Sequence, residues 1–125
     1  MSRKVKVASG KVLMVFITTS NRREAVRIAE AAVGKRLAAC ANLVPSVTSI
    51  FRWKGRTQRT RETLLVLKTS ARRYRALEQL VDSMHSYEVP EIVAVSVEHG
   101  LRPYLGWVHS ETATDRVPIA THSPN

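Results

Sequence analysis

The dipeptide Lys54-Gly55 joins an extended segment running from about Ala38 to Trp53 to a returning segment, Thr63–Thr69, and this pair constrains the fold more than any other feature of the chain. A typical strand has about five or six residues, and the first segment is far longer. Pro45 cannot donate to a strand ladder, so it marks a bend or an outer edge within that segment. A small sheet has no room to pair all of such a hairpin. Its outer part would leave backbone groups unpaired and the side chains of Ile50, Phe51 and Trp53 uncovered, an arrangement that invites another chain to cover it.

The flanking segments define the sheet that the hairpin joins. Lys11–Thr19 reads as a buried strand after Gly10. Asn21 and Glu24 then have the spacing of a reciprocal helix cap. Ala25, Ile28, Ala29, Ala32 and Val33 form the inner face of that helix, small enough to lie close on a sheet, and Gly34 supplies the permissive backbone for its end. Ser70 is placed to cap a second helix ending near Met84, with Tyr74, Leu77, Leu80 and Val81 at intervals of three and four. Ile92–Val97 is β-branched and nearly all apolar, as expected of a strand buried on both faces. A last short helix is expected from Leu101 to His109, with Tyr104, Leu105 and Val108 at contact spacing. The order strand, helix, strand, strand, helix, strand predicts an α+β fold of the ferredoxin-like, split βαβ kind, with both helices on one face of a four-stranded sheet. Residues 1–10 are expected to be a flexible N-terminal segment, 11–110 one domain, and 111–125 a mobile C-terminal tail.

With 125 residues the chain has the length of one domain, and its single cysteine excludes an internal disulfide. No apolar run is long enough to span a bilayer, and the basic start is not followed by the apolar stretch of a signal peptide, so a soluble cytoplasmic protein without a membrane span is expected. The formal net charge of +10 would attract polyanions. Its sources are scattered over Arg22-Arg23, Lys35-Arg36, the stretch from Arg52 to Arg61, and Arg72 to Arg75, the pattern of a solvated surface rather than of a specific nucleic-acid site.

Chemistry concentrates in Met84-His85-Ser86-Tyr87-Glu88-Val89-Pro90-Glu91-Ile92, where the helical pattern gives way to a strand. His85 is the best candidate metal ligand there. Imidazole suits copper(II) and zinc(II), the carboxylates of Glu88 and Glu91 can complete or orient a shell, and the Met84 thioether suits copper(I). The competing reading of His85 is a cation capping a helix end. Cys40, set among alanines, is a soft ligand or nucleophile by chemistry and a small hydrophobe by surroundings. No activated nucleophile, glycine-rich phosphate loop or cysteine pair accompanies these residues, so no catalytic or cofactor-binding residue is assigned and no enzyme is expected.

Four segments, taken in order and at their spacings, resemble the CutA family of small divalent-cation-tolerance proteins: Leu37–Pro45, Ile50–Gly55, Met84–Ile92 and Pro103–Val108. The resemblance runs from about Val12 to Ser110. It implies a ferredoxin-like protomer in a tight homotrimer whose hairpins reach across to neighbouring subunits, a role in metal-ion homeostasis or signalling, and copper binding with no metal required for folding. It implies metal contacts at the end of the first strand and around His85. Ile17 and Met84 stand where some relatives carry a thiol and a second imidazole, which implies weak capture. Arg56–Arg61 stands where relatives are commonly acidic, and Ser86 where proline is usual. Two other functions fit the same strand order: an RNA-binding module, which would display aromatic residues on the central strands, and a sensor like the trimeric PII regulators, which would hold a small ligand between subunits.

Overall fold

A computed structural model describes residues 10–114. The elements follow in the expected order: β1 (Val12–Thr19), α1 (Arg22–Gly34), β2 (Cys40–Trp53), β3 (Arg56–Ser70), α2 (Tyr74–Met84), β4 (Ile92–Ser96) and α3 (Arg102–Glu111). The sheet is antiparallel with strand order β2-β3-β1-β4, which is the split βαβ topology. Strand alternation sends Val15 and Ile17 of β1, and Leu65 and Leu67 of β3, to one face. There they pack against Ala25, Ile28 and Ala32 of α1 and Leu77 and Val81 of α2, all fully buried. The alanines of α1 allow the close approach that the sequence suggests. Val33 does not join them: it lies at the end of the helix and is exposed.

Both ends of α1 differ in detail from expectation. Asn21 Oδ1 accepts the Glu24 N–H at 2.8 Å, as a cap should, but Glu24 reaches past Asn21 and accepts from the Ser20 N–H and hydroxyl at 2.9 Å. The left-handed residue after the helix is Arg36, at φ 62°, and not Gly34. That backbone conformation is unfavourable for an L side chain. It is offset here because the Arg36 guanidinium donates to the carbonyls of Ser110 (2.8 Å) and Glu111 (3.1 Å), placing a cation on the negative end of α3.

The hairpin is as long as the sequence implies. Lys54 and Gly55 both have positive φ, as a two-residue turn matched to strand twist requires. The expected bend falls at Pro45, where the β2–β3 register slips between Val44 and Val47. Pairing of β1 with β3 stops at Thr19 and Thr63, so Arg56–Glu62 pairs with β2 alone. At about 3.4 Å per residue this overhang extends roughly 24 Å beyond the sheet.

Two expectations about burial are corrected. Strand β4 is not buried on both faces: it lies at the edge, beside β1 only, and Val93 and Val95 are 50% and 51% exposed on the face opposite α1 and α2. That open face is covered within the chain at one end, where Val108 of α3 packs with Val12 and Ala39. The chain from Glu111 onward does not begin as a mobile tail. Glu111 closes α3, and Thr112 is fully buried, its hydroxyl donating to the Val108 carbonyl at 2.8 Å and lying 3.1 Å from the Ser70 hydroxyl. Ser70 is thereby occupied and does not cap α2 with its side chain; a 3₁₀ turn, Ala71–Arg73, intervenes. The rest of that tail, 115–125, and most of the N-terminal segment, 1–9, lie outside the described residues.

Replacing Thr112 by the near-isosteric Val would leave the buried Ser70 hydroxyl without its partner. A loss of roughly 1–3 kcal/mol in unfolding free energy is expected by denaturant titration; an unchanged midpoint would mean that the α3 end does not anchor the fold.

Candidate functional site

Three chain segments meet at the C-terminal end of β1: the strand end with the α1 cap, the inner half of the hairpin, and the loop from His85 to Glu91. The His85 side chain is fully buried. Its Nε2 lies 2.8 Å from the Thr18 carbonyl oxygen, which can only accept, so this nitrogen carries the hydrogen. Nδ1 then accepts the Tyr87 N–H at 3.1 Å. The ring is thus a neutral tautomer that staples the loop to β1.

Glu24 provides the second staple. Its Oε2 accepts the Ser86 N–H at 2.7 Å, while Oε1 holds Ser20. Burial alone would raise this carboxyl, but the hydrogen bonds from Ser20 and Ser86 outweigh it and hold the group at about 2. Oε2 also lies 3.8 Å from His85 Nδ1. Tyr87 provides the third: its phenol donates to Glu62 Oε2 at 2.5 Å, and burial followed by that carboxylate pushes the phenol well above its ordinary range. Glu62 is itself buried, on the overhang just past the bulge. Beyond this anchor an open cleft of about 540 Å³ lies between the hairpin, with Phe51, Trp53, Thr60 and the edge of Arg59, and the loop, with Tyr87, Glu88 and Val89.

The four candidate metal residues are not brought together. An imidazole binds a metal through a free lone pair, and both ring nitrogens of His85 are committed to the backbone. Met84 packs against the helix-side core. Glu88 and Glu91 are exposed. Among the described residues no three His, Cys, Asp or Glu side chains lie close enough to share an ion. As arranged in this chain, the donor set does not fit a copper centre. His85 is also not a charged helix cap, since its ring turns away from the end of α2 toward β1. Cys40 sits apart, at the start of β2, with its Sγ 3.5 Å from the Tyr104 hydroxyl. Tyr104 lies against Trp107 with the rings tilted by 36°, and burial together with Cys40 pushes its phenol up to about 12.

Sequence reasoning found the loop but missed the groups that hold it. Glu24 reads as a cap, and nothing local says that it also binds a residue 62 positions away. Glu62 is hidden in a basic, solvent-like run. The one usable signal was that the cap box of α1 and the His85 loop both fall at strand ends on the same side of the sheet.

The sign of the Glu24 effect follows from its lowered value. A carboxyl held below its unfolded value of 4.5 stabilises the fold above that pH and loses the contribution as pH falls toward 2. The loss is on the order of 3 kcal/mol for such a shift. Thermal unfolding from pH 6 to about 2 is therefore expected to show a steeper loss in the wild type than in Glu24→Gln, which is already destabilised at neutral pH. Parallel curves would remove Glu24 as the anchor.

Comparison with known proteins bears on what this corner belongs to. The family described as "CutA1 divalent ion tolerance protein" matches residues 13–111. The chain is 48% identical over 103 residues to "Protein CutA" of Mus musculus, covering 82% of this chain and 58% of that one. It therefore spans about three fifths of the length of that mammalian relative. It is 43% identical over 99 residues to the "Divalent-cation tolerance protein CutA" of Thermus thermophilus, covering 79% of this chain and 96% of the relative. Among solved structures, the Thermus thermophilus protein superposes with a TM-score of 0.80 at 42% identity, covering 82% of this chain and 99% of that one. CutA1 from Oryza sativa does so with a TM-score of 0.81 at 33% identity, covering 86% and 98%. In sequence over most of its length and in fold, this chain belongs to the CutA1 divalent ion tolerance family.

Proposed function

We propose that this chain works as a homotrimeric, non-enzymatic protein of divalent-cation tolerance. The observation that carries the reading is the hairpin overhang together with the open sheet face. Phe51 and Trp53 on the overhang are 41% and 44% exposed, and Val93 and Val95 continue the same face across β4. Unpaired edges and an apolar face of this extent call for cover by further copies of the chain. Glu91, exposed at the start of β4, is placed to meet an arginine of a neighbour.

A non-enzymatic role is supported by the state of the polar corner. A carboxylate held at about 2 is a poor general base at neutral pH, and an imidazole with both nitrogens bound to backbone has neither a free N–H nor a free lone pair to offer a substrate. The corner fixes the loop. An RNA-recognition role draws no support, because on the open face the central strands β1 and β3 present Phe16 as their one aromatic residue.

Sedimentation at micromolar concentration is expected to show a species of three chains. Phe51→Asp or Val93→Asp should shift it toward monomer, since either would bury an unpaired charge. A stable wild-type monomer would overturn the reading.

Any copper(II) bound is expected to be held weakly, by single exposed carboxylates such as Glu88 or Glu91 and not by His85. His85→Ala should then leave copper affinity unchanged in calorimetric titration while lowering the unfolding free energy by roughly 2–4 kcal/mol, because a buried, doubly bonded ring is lost. Lost copper binding with intact stability would restore His85 as the ligand.

A further inference from the structure

The basic residues of the overhang look scattered in sequence and are sorted by the strand register. Residues directly opposite one another across a strand pair share a face. The pairs Thr48↔Arg61, Ile50↔Arg59 and Arg52↔Thr57 therefore lie on one face, and Val47↔Glu62, Ser49↔Thr60, Phe51↔Gln58 and Trp53↔Arg56 on the other. One face holds both aromatic residues, Phe51 and Trp53, among Val47, polar side chains and a single arginine, Arg56 at the tip. The other carries three arginines, two threonines and one isoleucine, all exposed.

We propose that the Arg52, Arg59 and Arg61 face of the hairpin is a docking surface for a nucleic-acid phosphate backbone, bound without regard to base sequence. Its charge is uncompensated. From Thr48 to Arg61 the chain has no acidic residue, and among the described residues none of the three arginines makes an ion pair. The next carboxylate along β3, Glu62, is on the opposite face and is held by Tyr87. One Arg52 guanidinium nitrogen donates to the Gly55 carbonyl at 3.3 Å, which fixes that side chain along the ribbon and leaves its other N–H groups free.

Spacing and shape agree with this partner. Arg59 and Arg61 are two residues apart on one strand, about 7 Å. Arg52 is the diagonal cross-strand neighbour of Arg59 at about 7–8 Å. Phosphates of one duplex strand rise about 3.4 Å each along the axis while winding around it, which sets neighbours roughly 7 Å apart in space, so such a row matches successive phosphates. Guanidinium groups bind phosphate through paired N–H donors, and the threonine hydroxyls between them are further backbone donors. A two-stranded ribbon is also narrow enough for the major groove. An anionic membrane would take apolar side chains beside the basic ones. Here only Ile50 accompanies the arginines, because the aromatic residues point the other way. The inference does not rest on the trimer, although it leaves the face of Phe51 and Trp53 free for neighbouring copies.

The test compares two variants that each remove three positive charges. Arg52→Gln, Arg59→Gln and Arg61→Gln together empty the proposed face; Lys35→Gln, Arg72→Gln and Arg75→Gln together remove exposed charges elsewhere. Binding of a labelled DNA duplex of about 20 bp is followed by anisotropy from about 50 to 200 mM salt. The hairpin variant is expected to lose affinity at least about tenfold and to flatten the salt slope by about 2.7, the value for three phosphate contacts, while the control loses less than about threefold. Sedimentation in parallel separates this from a change of assembly. If the triple variant assembles differently, Arg59→Gln and Arg61→Gln singly should each lower the slope by about 0.9. Equal losses in hairpin and control variants, no duplex binding by the wild type at low salt, or hairpin-dependent binding only to phosphatidylserine vesicles or to polyglutamate would each overturn the proposal.

Discussion

The Glu24 carboxylate ties together parts of the chain that no strand ladder connects. One oxygen holds Ser20 at the corner between β1 and α1, and the other holds Ser86 in the loop between α2 and β4. Burying a carboxylate is costly unless its lone pairs are satisfied. Here they are satisfied by donors from two distant segments, so the carboxylate is stable only when both segments are in place. His85 repeats the device from the loop side by bonding the Thr18 carbonyl. Loop and strand end thus define each other's position, and β4 enters the sheet from a fixed starting point. Tyr87 extends the same rigidity to the hairpin through Glu62, where the overhang leaves the sheet.

That last bond matters because the overhang has little else within the chain to orient it. Beyond Glu62, β3 has lost β1 as a neighbour, and among the described residues β2 has no second neighbouring strand. A two-stranded ribbon alone is marginal in water. The bulge at Pro45 and Ser46 bends β2 where this support ends. The Tyr87–Glu62 contact sits beside that bend, so one phenol and one carboxylate join the strand ladder in holding the base of the ribbon.

Most of the fold was legible because its signals are local. Asn21 at its cap position, the apolar intervals from Tyr74 to Val81, and Lys54-Gly55 between two β-rich runs each fix an element without reference to the rest. Burial was less legible. Ile92–Ser96 has the composition of an interior strand yet lies at an edge, because composition reports that a face is to be covered and not whether its own chain does so. The candidate site was read least well. His85 was found by residue type, but its role depends on Thr18 and on the Tyr87 backbone, and backbone carbonyls and amides have no sequence signature. Thr112 fell in a stretch with two prolines and no periodicity, although its burial depends on Val108 and Ser70.

The hairpin shows how one alternating pattern can serve two surfaces at once. Successive side chains on a strand point to opposite faces, so a run that mixes aromatic and basic residues is not a compromise between them. From Ile50 to Trp53 the order is apolar, aromatic, basic, aromatic, and the register completes each face from β3 with Arg59 on one side and Gln58 on the other. A single-residue slip would exchange the two faces and put arginines toward the apolar sheet surface. The Lys54-Gly55 turn opposes such a slip at the tip, and the Tyr87–Glu62 bond opposes it at the base. The separation of the face that holds Phe51 and Trp53 from the one that holds Arg52, Arg59 and Arg61 is therefore fixed at both ends of a ribbon that has no core of its own.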